Sequence, residues 1–153
     1  MARGIFRRLA VAVDGSANAD AALDVAIDIA GQYHASLTVV GVAPFVPVYM
    51  APSEPFVPAV VPPSELGRFR QIVEDAVKKA KGAGLGAVDG IAYEGVIVDE
   101  LLDHLDKHPT DLLVVGSRGL TTAKRIFLGS VSSALVEHAP CPVLVVRPSP
   151  TKT

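Results

Sequence analysis

The residues best suited to chemistry in this chain lie between Gly116 and Ser130, in the run GSRGLTTAKRIFLGS, with the spacing Gly-x2-Gly-x9-Gly-Ser. Gly116 and Gly119 permit a tight turn and close approach of a ligand to the backbone. Gly129 and Ser130 place a small residue and a hydroxyl just before the helix-forming stretch Val131-Ser132-Ser133-Ala134-Leu135-Val136, where the first N–H groups of a helix have no intrahelical acceptor. That arrangement favours an anion, most commonly a phosphate. Arg118 inside the loop, and Lys124 and Arg125 further along it, can add positive charge to phosphate binding or serve solubility alone. Asp14, at the end of the apolar run Leu9-Ala10-Val11-Ala12-Val13, can contact a ligand or close an Asx-type turn ahead of the next helix, and the two roles are compatible.

Other chemistries find less support. His104 and His108 are spaced to share a metal on one helix face, but no third ligand accompanies them, and they read as a solvated pair. The sequence has no Gly-x4-Gly-Lys-Ser/Thr phosphate loop, no Gly-x-Ser-x-Gly nucleophile turn and no Ser-Gly-Gly-x-Asp-Ser segment. Asp14 is then the sole acid or base beside the expected phosphates, with nothing in the sequence to orient it for catalysis. Binding with slow or no hydrolysis is the expectation.

The elements that must position these residues follow from periodicity. Leu9–Val13 is a continuous apolar run, as in a strand buried on both faces of a parallel sheet. From Ala17 to His34 apolar residues recur at helical steps (Ala19, Leu23, Ala26, Ile27, Ala30, Tyr33), opposite Asp20, Asp24 and Asp28, with Ser16 or Asn18 as cap. Leu37–Val42 is a second strand. Pro44–Pro63 holds seven prolines among apolar residues, which precludes a helix and reads either as a lid or contact surface or as a long, partly disordered connection. Ser64–Ala83 is helical through Leu66, Phe69, Val73, Ala76 and Ala80; Ala87–Tyr93 is a strand that Asp89 and Gly90 assign to a sheet edge; Val96–Lys107 is a short helix. Leu112–Val115, Val131–His138 and Val143–Val146 supply the last strand, helix and strand before a polar tail, 148–153. Five strands alternating with helices imply an α/β fold, an open doubly wound parallel sheet with helices on both faces, whose ligand lies beyond the carboxyl ends of the strands.

Composition sets the bounds. A chain of 153 residues, half of them hydrophobic, fits one domain. With 14 basic and 16 acidic side chains, net charge −2, it has no general attraction to nucleic acid or an anionic membrane. The single cysteine, Cys141, suits a reduced, intracellular protein. Arg3, Arg7 and Arg8 precede an apolar run that Asp14 ends after five residues, too short to export or anchor the chain.

The glycine spacing, with Leu9–Asp14 at one end and Pro142–Val146 at the other, resembles the nucleotide-binding signature of the universal stress protein family across nearly the whole chain. The resemblance implies a Rossmann-like five-stranded sheet of order 3-2-1-4-5, so that Asp14 and Gly116 face one crevice. It also implies ATP as ligand, with magnesium carried by the phosphates. Asp14 would contact the nucleotide near its ribose, the Val42 backbone the adenine, and Gly116, Gly119, Gly129 and Ser130 the ribose and phosphates. Ser117, Arg118, Val131 and Ser132 adjoin those positions, and Ala12 and Val13 match by location. A homodimer through Val143–Val146, an unidentified protein partner and a role in stress response complete the implication. Cyclic AMP binding, a weak ATPase and a nucleotide-independent interaction module are the alternatives.

Overall fold

The computed structural model describes residues 4–45, 64–118 and 128–148. In chain order the elements are β1 (Arg8–Val13), α1 (Ala17–Tyr33), β2 (Ser36–Pro44), α2 (Leu66–Gly82), β3 (Val88–Gly95), α3 (Ile97–Lys107), β4 (Leu112–Gly116), α4 (Ser130–His138) and β5 (Val143–Val146). All strands run parallel in the order β3-β2-β1-β4-β5. The expected sheet is therefore present, with the chain reversing its direction of growth between β1 and β4.

The period-two alternation of a strand divides the core into two layers. Leu9, Val11, Leu37, Val39, Leu112 and Val114 pack under α1 and α2, while Ala10, Val40, Val42, Leu113 and Val115 pack under α3 and α4. Burying each such side chain contributes roughly 1.5–3 kcal/mol for valine or leucine, which explains why β1, β2 and β4 read as unbroken apolar runs. Gly41 and Gly90 let α2 lie close to the sheet: a Cβ on either would stand 2.7 or 2.5 Å from a Val73 methyl. Gly90 thus belongs to a packed strand, and β3 is the edge that Asp89 and Gly90 suggested.

Local signals set the helix ends. The Ser16 hydroxyl accepts from the Ala19 N–H at 3.2 Å, so Ser16, not Asn18, caps α1, and His34 ends the helix in the left-handed region at φ 54°. Asp111 ties the two central strands at their starts by accepting from the Arg7 and Arg8 amides, both at 2.9 Å. β2 and β3 run past their apolar segments to Pro44 and Gly95, which pair with each other. The expectation of a solvated His104–His108 pair is corrected: His104 is only 5% exposed. The phenol of Tyr93 on β3 lies 2.7 Å from His104 Nδ1, a partner on another element that helical spacing alone does not reveal. Residues 46–63 of the proline-rich segment, and Gly119, Lys124 and Arg125 of the glycine-rich loop, lie outside the described residues.

Candidate functional site

A crevice of about 580 Å³ opens at the carboxyl ends of β1 and β4, within the range of sites for small ligands. Ten of the twelve residues expected from the sequence line it: Ala12, Val13, Asp14, Val42, Gly116, Arg118, Gly129, Ser130, Val131 and Ser132. Ser117 stands behind the lining, buried, with its hydroxyl donating to Asn18 Oδ1 at 3.1 Å. Gly119 lies outside the described residues.

The Asp14–Ser16 turn brings β1 to the crevice. Gly15 at φ 82° occupies the left-handed region that glycine enters freely, and Asp14 Oδ1 accepts from the Ser16 N–H at 2.9 Å. The Asx turn is therefore real, and Asp14 lines the crevice as well. Both readings of this carboxylate hold.

On the other side, Gly116 ends β4 against α1. A Cβ there would come within 2.8 Å of the Asn18 backbone, so glycine is needed for close approach. Ser132 Oγ donates to the Gly116 carbonyl at 2.8 Å, and the Gly129 N–H donates to the Ser117 carbonyl at 2.9 Å, fixing the start of α4 against the end of β4. Gly129 itself has φ −61° and ψ 156°, open to any residue, so its constraint is space: a Cβ would meet the Ser117 oxygen at 3.3 Å.

Two helix N-termini meet at this crevice and differ in what they offer. That of α1 is satisfied from within, by the Ser16 cap and the Asp14 turn. That of α4 has no side-chain cap and no acidic residue in its first turn. The first N–H groups of α4, at Ser130, Val131 and Ser132, therefore retain capacity for an anion, helped by the helix dipole.

Sequence reasoning missed the far end of the crevice. Val40, Pro44, Phe69, Ile97 and Leu101 wall it there, with Glu65 beside them. Phe69, Ile97 and Leu101 are legible only as the apolar faces of helices; which of them the crevice uses depends on how α2 and α3 seat on the sheet. The lining carries three charged residues, Asp14, Glu65 and Arg118. One end is thus walled mostly by apolar side chains, and the other lies at the uncapped start of α4. Among the described residues no group of three or more His, Cys, Asp or Glu side chains is placed to hold a metal, and no helix is long and apolar enough to cross a membrane.

Comparison with known proteins places nearly the whole chain among relatives of one kind. Universal stress protein YxiE of Bacillus subtilis is 33% identical over 151 residues, covering 94% of this chain and all of the relative. A solved universal stress protein in complex with cAMP is 28% identical, superposes with a TM-score of 0.71, and covers 95% of this chain and all of its own. The universal stress protein from Archaeoglobus fulgidus in complex with dAMP, 21% identical with a TM-score of 0.63 over 93% of this chain and 98% of its own, shares the fold. Residues 5–147 match the family described as the Universal stress protein family, and with the sheet order and this coverage the chain belongs to it.

Proposed function

We propose that the chain is a cytoplasmic regulatory protein of stress response that holds ATP in the crevice between β1 and β4 and hydrolyses it slowly or not at all. The observation that carries this reading is the uncapped start of α4 at one end of a crevice whose other end is apolar. A nucleotide matches both. The adenine would lie along Val42 among Val40, Phe69 and Ile97, the ribose near Asp14, and the phosphates against Gly129–Ser132 with Arg118 nearby. Magnesium would arrive on the phosphates, since the described lining brings only Asp14 and Glu65 as carboxylates. Asp14 is already engaged by the Ser16 amide, and among the described residues of the lining the one other carboxylate is Glu65, beside the apolar end.

Cyclic AMP is the second reading, favoured by the relative whose structure contains it. Native mass spectrometry of the protein as purified, followed by calorimetry with ATP, cyclic AMP and GTP, tests the assignment. ATP binding tighter than GTP binding supports it, tighter cyclic AMP binding replaces ATP, and no binding of any of the three leaves a nucleotide-independent interaction module. Multiple turnovers of ATP that vanish in Asp14→Asn would make the protein an ATPase.

A further inference from the structure

Four polar side chains are buried among the described residues: Ser16, Ser117, Ser132 and His104. The three serines frame the crevice through their hydrogen bonds to Ala19, Asn18 and Gly116. His104 has no part in that frame. It sits on α3 one turn beyond Leu101, and α3 walls the apolar end of the crevice with Ile97 and Leu101. Its Nδ1 lies 2.7 Å from the hydroxyl of Tyr93, and Tyr93 pairs in register with Val42, another crevice residue. The Tyr93–His104 bond therefore fastens α3 to the sheet where both elements form the wall. The other face of the His104 ring stacks on His108, centroids 4.5 Å apart.

We propose that this clamp couples occupancy of the crevice to protonation of His104, so that bound nucleotide is released as the surroundings turn acidic. The inference rests on the nucleotide reading and adds its regulation. With His104 neutral and its proton on Nε2, Tyr93 O–H donates to Nδ1. A proton on Nδ1 makes that atom a donor, so the phenol must reverse its role, and a cation is left buried against the His108 ring. Water is the better solvent for that cation, and the way to water is for α3 to lift from β3. Burial, and then repulsion by His108, hold the ring below the usual histidine pKa; Asp89 of β3 and Asp103 of α3 act in the opposite direction. Thr38 of β2 donates to Asp89, and the titratable groups of α4, Glu137 and His138, are exposed and lie 3.6 Å from each other. Burial pushes the Tyr93 phenol up, with Asp103 and Glu100 adding to the rise, so it keeps its proton across the acid range.

Linkage is reciprocal: if protonation weakens nucleotide binding, nucleotide must lower the pKa of His104. A nearby triphosphate acting through charge alone would raise it, so the sign decides. The experiment is an NMR titration of the four histidine rings between pH 4.5 and 8, with and without saturating ATP, the His104 resonance being assigned with His104→Gln. A His104 pKa lowered by ATP, with affinity falling by up to tenfold per pH unit between the pKa of the free protein and that of the complex, supports the proposal, since one proton limits the slope to that value. An unchanged or raised His104 pKa while other resonances report bound ATP overturns it, and so does the same acid loss of affinity in His104→Gln. Should no resonance move with ATP at any pH, the ATP reading itself fails. Tyr93→Phe gives a second arm: without the clamp, ATP should no longer lower the His104 pKa, and a shift of wild-type size would count against the mechanism.

Discussion

Gly116 and Gly129 flank the same loop, yet they should respond to substitution in different ways. A methyl at Gly116 meets the backbone of Asn18 at 2.8 Å, which can be relieved only by moving α1 from β4. Gly116→Ala should therefore cost about 1–3 kcal/mol of stability, read as a lower denaturation midpoint. Valine at Gly129 has an accessible backbone conformation, and its first carbon meets no atom nearer than the Ser117 carbonyl oxygen at 3.3 Å. That variant should stay folded and lose ATP affinity by about one to two decades, the equivalent of two neutral hydrogen bonds; an unchanged dissociation constant by calorimetry would misplace the phosphates. His104 sets a third expectation. Its folded pKa lies below the ordinary histidine value of 6.5, so between the two values the unfolded chain binds more protons. The stability it contributes is complete above about pH 6.5 and is lost as pH falls from there through the folded value. Urea midpoints at pH 7.5 and 5 should differ more in wild type than in His104→Gln.

Elements were legible where one physical signal dominated. The runs of β1 and β4 and the helical stripes of α1, α2 and α3 follow directly from burial, and their observed ends fall within two residues of those expected. β2 and β3 each end two residues past the expected Val42 and Tyr93, because pairing between Pro44 and Gly95 decides their ends and composition does not encode pairing. The same holds at the site. Asp14, Gly116, Gly129 and Ser130 could be found because their types carry the chemistry; Glu65, Phe69 and Ile97 could not, because they reach the crevice only through the packing of α2 and α3. The cap of α1 offers a test at this scale. Ser16→Ala removes the acceptor of the Ala19 amide and should cost about 1 kcal/mol, with calorimetry showing a lower melting temperature. The Asp14 turn is closed by the Ser16 backbone amide, which alanine keeps, so ATP affinity should be nearly unchanged.

For the molecule as a whole, the two sheet edges are unlike. β3 carries Asp89, Gly90 and Glu94, which discourage further pairing, whereas β5 is Val-Leu-Val-Val, each residue only half-buried. We therefore expect a homodimer joined through β5. The carbonyls of Pro142 and Val146 accept from Leu113 and Ser117 on the inner side, which turns the Val145 peptide outward. Val145→Pro should then remove a donor from the free edge while sparing the inner ladder. Light scattering should give a dimer mass for wild type and a monomer for the variant; a wild-type monomer at every concentration would exclude this assembly.

The register of β1 with β4, Leu9 beside Leu112, also has a kinetic side. The crevice joins segments from opposite ends of the chain: Asn18 and Ser117, which meet at its back, are 99 positions apart. Loops of that length close late, because the entropy of closure must be met before their contacts give any return. During synthesis β1 and β2 leave the ribosome well before β4 exists, and for that interval the inner flank of β1 has no neighbour. A ligand that requires both sides can recognise only the finished chain. It should leave the folding rate almost unchanged and slow unfolding, so that bound nucleotide lengthens the lifetime of the folded protein rather than hastening its birth.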